Sequence, residues 1–278
     1  MKNYLLLLLS LLILSSACKN DALIRPGDPL NVSYDKAWSL YEAKKYGDAA
    51  EAFEIITRIG RGTNYAQDAQ FYLAESYFKD ERYLLAASEY ERFISFFPRD
   101  ERREEVDFKR ALSFYEQSPR YRLDQGATAQ AIELFQLFNN NYPNSDRVPE
   151  AAEKIDALRN KLARKIFNAA EFYSRINSYK AAVIYFDRTI DQYPESVWAE
   201  RALVQLIDTY NRYAERSVDE KQGERYNLAL ETYEKFLQLF PTSELRGAAE
   251  KYRDEAEIGF KNAPKVSSEE LTAVDATN

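Results

Sequence analysis

The sequence contains no histidine, and only one of its 278 residues, Cys18, is a cysteine. The absence of histidine excludes Ser-His and Cys-His nucleophilic sites and every metal site with a histidine ligand. A single cysteine forms no disulfide within the chain. The eight glycines occur in neither a G-x-x-x-x-G-K-[ST] nor a G-x-G-x-x-G arrangement, which excludes the common phosphate-binding loops. We therefore expect no cofactor and no metal ion.

Paired carboxylates are the catalytic residue type that remains. Glu104-Glu105 and Glu269-Glu270 are such pairs, but 30% of all residues are charged. In a chain of this composition, neighbouring acidic residues are far more often the solvent-facing side of a helix than an acid/base dyad. A hydrolase that uses two carboxylates stays open as a remote alternative, which would require a cleft in which one carboxyl group has a raised pKa.

Acidic residues outnumber basic ones by 45 to 38, which gives a formal net charge of −7, and no long basic run occurs. Nucleic-acid binding requires clustered Lys or Arg to neutralise phosphates, so we expect no nucleic-acid partner. The same deficit argues against broad electrostatic adhesion to anionic lipid. Apart from the amino-terminal run described next, no apolar segment approaches the length of a transmembrane helix.

The first eighteen residues have the layout of a secretory signal. Lys2 precedes the ten-residue apolar run from Leu5 to Leu14, and small residues follow at 15–17, directly before Cys18. The run is too short to span a bilayer. Cleavage after Ala17 with plain secretion is one interpretation, but it leaves the position of the only thiol unexplained. The segment resembles a bacterial lipobox, with the usual leucine displaced by one position, and predicts removal of residues 1–17 and acylation of Cys18.

Acylation of Cys18 would attach the chain to a lipid bilayer, with everything after it in water. Stable anchoring takes more than one acyl chain. Residues 18–30 then form a lipidated tether that contains proline and glycine. At the other end, residues 263–278 are polar and acidic, and we expect a flexible tail there.

Between Val32 and Lys261 the sequence favours helix throughout, because Ala, Leu, Glu, Lys, Arg and aromatic residues recur at spacings of three and four. A five-residue phrase with a central proline interrupts this pattern four times. Proline disfavours helix at the preceding residue, so each phrase ends a helix. Ser145, Ser196 and Ser243 are then predicted N-caps of the next helices. The phrases are Phe96-Phe97-Pro98-Arg99-Asp100, Asn141-Tyr142-Pro143-Asn144-Ser145, Gln192-Tyr193-Pro194-Glu195-Ser196 and Leu239-Phe240-Pro241-Thr242-Ser243.

Upstream of each proline, a small residue and two larger residues repeat at fixed offsets. The alanine lets a neighbouring helix approach closely, and the larger side chains fill the space beside it. This spacing resembles the tetratricopeptide repeat, and residues 69–98 match it best. The copies are Ala86-Tyr90-Phe93, Ala131-Phe135-Phe138, Ala182-Phe186-Thr189 and Ala229-Tyr233-Phe236, with an earlier one at Ala37, Tyr46, Ala49 and Phe53 that ends near Ile59-Gly60.

The resemblance implies an all-α fold, a right-handed superhelical array of about five tetratricopeptide-like helical hairpins. The proline-to-proline distances of 45, 51 and 47 residues exceed the 34-residue repeat. We expect insertions at Ser118–Thr128 and Ser217–Gly223, which map to loops on one face. The remaining excess, between Ser145 and Ile166, predicts a lengthened first helix in the fourth hairpin.

The third hairpin carries a more specific resemblance. Its segment Ser118-Pro119-Arg120-Tyr121-Arg122-Leu123-Asp124-Gln125, followed by Tyr142-Pro143-Asn144-Ser145, is similar to the corresponding segment of the BamD family, lipoproteins of the outer-membrane β-barrel assembly machinery. The similarity extends over residues 18–262.

The BamD resemblance implies a non-enzymatic scaffold on the periplasmic face of the outer membrane. Its implied partners are the POTRA domains of a BamA-like barrel protein, other assembly subunits and unfolded outer-membrane proteins. It assigns substrates to residues 31–145, hairpins one to three, and the BamA-like protein to residues 146–262, hairpins four and five. Another periplasmic scaffold on the same repeat, serving cell division or cell-wall enzymes, remains the alternative.

In tetratricopeptide arrays the first helix of each hairpin lines a groove. Seven corresponding positions of hairpins one to three, six of them aromatic, are candidates for binding an extended peptide with aromatic side chains, because aromatic pairs add affinity beyond buried area. Helical aromatics are more often packing residues, and this interpretation stays open for each of them. The candidates are Trp38, Tyr41, Phe71, Glu75, Phe78, Phe108 and Tyr115.

Overall fold

The computed structural model describes residues 24, 25 and 27–264 of the chain, and within this part all regular structure is helical. None of the helices there is both long and apolar enough to cross a membrane. Cys18 and its predicted acylation, the cleavage site, residues 18–23 of the tether and residues 265–278 of the tail lie outside the described residues and stay predictions. The chain divides into two units, Met1–Gln117 and Ser118–Asn278.

In the first unit each helix packs against the next along the chain, and the first helix also contacts the third. The first two pairs are therefore antiparallel hairpins, as the repeat predicts. The helices are α1 (Leu30–Glu42), α2 (Tyr46–Ile59), α3 (Tyr65–Lys79), α4 (Tyr83–Phe96) and α5 (Arg103–Gln117).

The second unit contains six helices among its described residues, and consecutive helices α7 to α11 again pack in order. Helix α7 spans 28 residues, which confirms the lengthened first helix of the fourth hairpin. The last helix, which the sequence did not distinguish from the fifth hairpin, packs on both α9 and α10 and covers them. The helices are α6 (Gly126–Asn141), α7 (Val148–Arg175), α8 (Tyr179–Gln192), α9 (Val197–Glu215), α10 (Asp219–Leu239) and α11 (Arg246–Asn262).

The repeated pattern of one small and two larger residues forms the core of both units. All four alanines that precede the prolines are 0% exposed. The larger residues after them are buried as well, and each phenylalanine withdrawn from water contributes about 1.5–3 kcal/mol. The helical-hairpin fold predicted from the sequence is confirmed. The buried larger residues are Tyr90, Phe93, Phe135, Phe138, Phe186, Thr189, Tyr233 and Phe236.

The four proline phrases end helices α4, α6, α8 and α10 two residues before the proline, as predicted. The N-cap prediction holds only for Ser196, whose hydroxyl accepts the amide of Ala199 at 3.3 Å. Ser145 and Ser243 are not N-caps. Their hydroxyls accept the amide two residues on, and the helices begin later, after Arg147 and Leu245. A turn between the serine and the helix separates the oxygen from the first-turn amides in these two cases.

Three of the connections within hairpins are tight turns of one design. Lys44, Glu81 and Asn177 have φ angles of 59°, 60° and 61°, the left-handed conformation that ends a helix. In each turn the next amide bonds to the carbonyl five residues before it, as Lys45 does to Leu40 at 2.9 Å. This shared turn keeps the hairpins short where no insertion occurs.

The two predicted insertions differ from each other. Residues 118–125 form a connection before α6, as expected for a loop. The prediction of a loop at Ser217–Gly223 was wrong, because α10 already begins at Asp219 and absorbs the extra residues as helix. Asp219 and Glu220 in its first turn favour this outcome, since carboxylates stabilise a helix amino terminus. The predicted division of roles at residues 145 and 146 stays a prediction.

Candidate functional site

Helices α1, α3 and α5 of the first unit present residues that are 34 positions apart in neighbouring repeats. Their side chains meet, as the ion pairs Asp68–Arg102 and Glu75–Lys109 show. We call this surface the α1/α3/α5 face. Its three rows are Tyr34-Asp68-Arg102, Trp38-Tyr72-Val106 and Tyr41-Glu75-Lys109.

Tyr72 lies at the centre of an aromatic cluster on this face. Its ring centroid is 4.7 Å from that of Trp38 and 5.3 Å from that of Tyr41, both in edge-on geometry. Phe71 also meets Tyr72 edge-on, at 5.2 Å. Edge-on aromatic pairs at these distances contribute about 0.5–1.5 kcal/mol beyond their buried area. Trp38, Tyr41 and Tyr72 are only half-buried, so part of each ring remains open to a ligand.

A buried ion pair lies beside the aromatic cluster. The side chain of Glu75 is 5% exposed, and its Oε1 accepts the Nζ of Lys109 at 2.6 Å and the hydroxyl of Tyr90. Lys109 also reaches Glu105 at 2.9 Å and stands 5.6 Å from the centre of the Phe71 ring. A carboxylate so deeply buried is tolerated only because these donors compensate it.

Burial raises the pKa of the tyrosines of the face further above the physiological pH range, in which tyrosine is neutral in any case. Loss of water raises the pKa of Tyr34 to about 12, and the carboxylate of Asp68 adds to the effect. Burial likewise raises the pKa of Tyr41, with repulsion from Glu75 as the next cause. Both hydroxyls therefore remain hydrogen-bond donors, which suits recognition of carbonyl oxygens.

Arg102 fixes the edge of the face. Its guanidinium bonds to Asp100 at 2.8 and 3.0 Å and to Asp68 at 2.8 Å, and it lies over the rings of Phe71 and Phe93 at 4.7 and 5.3 Å. The hydrogen bond from Arg102 lowers the pKa of Asp100. Two parallel hydrogen bonds to one carboxylate and contacts with two rings give the guanidinium a defined orientation, so Arg102 holds this edge of the face in place.

The structure gathers four of the predicted candidates on this face and places the others differently. Trp38 and Tyr41 are half-buried, whereas Phe71 and Glu75 are 6% and 4% exposed and form its floor. Phe78 packs edge-on against Tyr83 of its own hairpin at 5.4 Å and remains half-buried.

The two candidates on α5 also differ from each other in exposure. Phe108 is 1% exposed and belongs to the packing, while Tyr115 is half-buried. A peptide-binding role for the seven candidates stays a prediction, and it is best supported for Trp38 and Tyr41.

Sequence reasoning missed Tyr34, Tyr72 and Lys109. The 34-residue repeat could have identified two of them. Tyr72 lies 34 residues after Trp38, and Lys109 lies 34 residues after Glu75. The spacing was masked because the proline phrases after the second hairpin are more than 34 residues apart. Helices α1, α3 and α5, the first helices of hairpins one to three, keep the 34-residue period.

The charged groups of the α1/α3/α5 face compensate one another. Glu75 and Glu105 share the ammonium of Lys109, and Asp68 and Asp100 share the guanidinium of Arg102. The described residues contain no group of three or more acidic or cysteine side chains placed to hold a metal ion. What the face offers a ligand is aromatic surface and neutral hydroxyl donors.

Comparison with known proteins supports the same family that the third hairpin resembles. Residues 26–225 match the family model YfiO, described as outer membrane lipoprotein. The outer membrane protein assembly factor BamD of Caulobacter vibrioides is 22% identical over 69% of this chain, which spans 63% of that relative's length. BamD of Rickettsia prowazekii is 27% identical over 66% of this chain and 72% of its own.

Among solved structures, the TPR2AB domain of yeast Sti1, in a complex with pHSP90, aligns with 84% of this chain and 100% of its own at 12% identity and a TM-score of 0.35. The family assignment rests on the match over residues 26–225, which covers most of the chain. The chain belongs to the YfiO family of outer membrane lipoproteins.

Proposed function

We propose that this chain is an assembly factor for outer-membrane proteins, anchored to the outer membrane by lipid on Cys18 and facing the periplasm. The observation that carries the proposal is the family match over residues 26–225, together with relatives named as assembly factors. The acylatable Cys18 after a signal-like segment supports the anchor. The role is that of a scaffold, not an enzyme.

Within this role, the α1/α3/α5 face recruits unfolded outer-membrane proteins. Half-buried rings on Trp38, Tyr41 and Tyr72 suit the aromatic side chains of an extended peptide. The edge that Arg102 holds in place supports a preorganised surface, which lowers the entropic cost of binding. Residues 146–262 bind the POTRA domains of a BamA-like barrel protein, as the family resemblance implies.

Affinity purification of the full-length chain from detergent-solubilised membranes tests the assembly role. We expect a large barrel protein with periplasmic domains to co-purify, and a Cys18→Ser variant to leave the membrane fraction. Recovery of cell-division or cell-wall enzymes instead of a barrel protein would favour the alternative scaffold. A chain whose mature mass carries no acyl groups would contradict the anchor.

A peptide-binding experiment tests the face itself. The probe is a fluorescent ten-residue peptide with aromatic residues at alternate positions and a carboxyl-terminal phenylalanine. Trp38→Leu and Tyr41→Leu keep apolar volume but remove ring surface, and together they should weaken binding about tenfold, since each aromatic pair is worth about 0.5–1.5 kcal/mol.

The matched control is Phe96→Leu, which removes an exposed ring in the same unit but outside the face. It should leave the dissociation constant unchanged. Equal affinity of the double variant and the unmodified chain, with circular dichroism showing intact helix, would exclude the face as the peptide site and leave the assembly role standing.

A further inference from the structure

The second unit contains a continuous stack of alternating arginine and aromatic side chains. The guanidinium of Arg164 lies 4.4 Å from the ring centre of Tyr121 and 5.4 Å from that of Trp198. Arg122 covers Tyr121 at 5.5 Å, and Arg201 covers Trp198 at 5.1 Å. We call these five residues the arginine ladder. It joins the 118–125 connection to α7 and α9.

The 118–125 connection is held in place beneath the ladder. Lys161 of α7 donates to the Ser118 hydroxyl at 2.7 Å, and Lys165 donates to the Leu123 carbonyl at 2.7 Å. Gln125 donates to the carbonyls of residues 120, 123 and 124 at 3.0 to 3.2 Å. These bonds fix the backbone that carries Tyr121, so the ladder has a defined geometry.

A pocket of about 430 Å³ opens between Arg164 and Arg201 of the ladder. Phe167, Trp198 and Leu245 give it an apolar lining, and Arg164 and Arg201 also line it. A volume of this size admits one large apolar side chain together with part of its backbone. The pocket thus places two guanidinium groups beside a partly apolar cavity, whose lining also includes Asn168, Glu171 and Gln205.

The guanidinium groups of the ladder have no carboxylate partner among the described residues, although the Nε of Arg122 donates to the Tyr121 hydroxyl at 3.0 Å. Arg122, Arg164 and Arg201 form no ion pair within that part of the chain, although the protein carries a net charge of −7. Stacking on aromatic rings occupies the flat faces of a guanidinium and leaves its N–H groups at the edge. Those edges form paired hydrogen bonds with carboxylates.

We propose that the arginine ladder binds an acidic polypeptide segment of a partner protein, with one apolar side chain of that segment in the pocket. Charge complementarity carries the choice of occupant, because preoriented guanidinium edges flank a partly apolar cavity. A lipid surface fits less well. The pocket is concave, and its shape matches an inserted side chain and not the surface of a bilayer. The proposal holds whether or not the chain takes part in outer-membrane protein assembly.

Fluorescence anisotropy on the full-length chain in non-ionic detergent tests the proposal. The probe is a twelve-residue peptide with one leucine flanked by four glutamates, and the reference peptide has glutamine at the same four positions. We expect the acidic peptide to bind at least tenfold more tightly, since hydrogen bonds between guanidinium groups and carboxylates are stronger than those to neutral amides. Raising the salt concentration should reduce the difference.

The double variant Arg164→Met, Arg201→Met should abolish this preference for the acidic peptide. The matched control is Arg188→Met, which removes an arginine of the same unit that also covers a tyrosine, Tyr185 at 5.6 Å, but lies outside the ladder. Arg188→Met should bind the acidic peptide as the unmodified chain does.

Three results would overturn the proposal. One is equal affinity for the acidic and the glutamine peptide. Another is unchanged binding by the double variant while circular dichroism shows intact helix. The third is arginine-dependent binding to vesicles of anionic phospholipid that exceeds binding of the acidic peptide, which would assign the ladder to the membrane surface.

Discussion

The α1/α3/α5 face of the first unit and the arginine ladder of the second are built on the same spacing but treat their charges differently. Glu75 and Lys109 are 34 residues apart, as are Arg164 and Trp198. In the first unit each cation on the face meets carboxylates, and Lys109 and Arg102 serve two each. In the second, the arginines of the ladder meet aromatic rings.

This difference separates a charge that holds the fold from a charge that is available to a partner. Glu75 is buried, so its ion pair compensates a cost that folding has already incurred. The ladder arginines are exposed, keep their hydration and gain only a modest stacking energy from the rings. The same repeat geometry therefore supports a face whose charges form ion pairs with each other in one unit. In the other unit it supports a surface of exposed arginines without carboxylate partners.

Replacing one cation in each unit gives the largest contrast. Lys109→Met should lower the free energy of unfolding of the first unit by about 3–5 kcal/mol, because it leaves the buried Glu75 carboxylate without a counter-ion. Arg164→Met should cost the second unit about 1 kcal/mol, the value of its ring contacts. Urea unfolding followed by tryptophan fluorescence measures each unit, since one tryptophan, Trp38 or Trp198, lies in each.

The double variant Glu75→Gln, Lys109→Met controls this prediction, and it should recover part of the loss because no buried charge remains. Glu105→Gln, which removes the 36% exposed partner of the same lysine, should cost less than about 1 kcal/mol. Equal losses for Lys109→Met and Arg164→Met would show that the two units do not differ in this respect.

Helix contact in the second unit gives an intermediate effect. A Cβ on Gly259 of α11 would stand 2.3 Å from the Tyr226 ring of α10, so Gly259→Ala should destabilise this unit by about 1–3 kcal/mol. Gly247→Ala in the same helix meets nothing within 4 Å and should raise stability by up to about 1 kcal/mol. Thermal unfolding monitored through Trp198 checks both, and destabilisation by Gly247→Ala would contradict the packing argument.

Substitutions in the shared left-handed turn should have the smallest effect on stability, and the turn occurs in both units. Glu81→Gly in the first unit should stabilise it by about 0.5–1 kcal/mol, because a side chain in this conformation is strained. Asn177→Gly in the second unit should change stability less, since asparagine tolerates the left-handed region. Urea midpoints measure both changes. A larger gain for Asn177→Gly would exclude backbone strain as the cause.

The regular features of the fold were predictable because they depend on local sequence. Prolines at 98, 143, 194 and 241 end helices through a steric effect on the preceding residue, and the small and larger repeat residues are buried as their spacing indicates. Predictions from local sequence failed where a loop and a helix, or a turn and a helix N-cap, differ little in energy. Residues 219–223 are helical although the repeat predicted a loop, and Ser145 and Ser243 bond to turns and not to helix amino termini.

The candidate site was predictable in part. Trp38, Tyr41, Phe71 and Glu75 were placed on one face from the repeat alone, and the structure brings them together. Phe78 was assigned to the same face, yet it packs against Tyr83. The side chain that a residue packs against depends on the neighbouring helix. The spacing of residues within one helix does not predict it.

The sequence by itself determined that this protein is a helical repeat chain without histidine chemistry, with a single thiol at a signal-like boundary. Composition and periodicity suffice for that, because helix propensity, proline sterics and burial of every third or fourth residue act along the chain. Only the tertiary structure decided which charges compensate each other. Lys109 meets Glu75, whereas Arg164 meets Tyr121 and Trp198, because contacts between helices depend on register and distance in space.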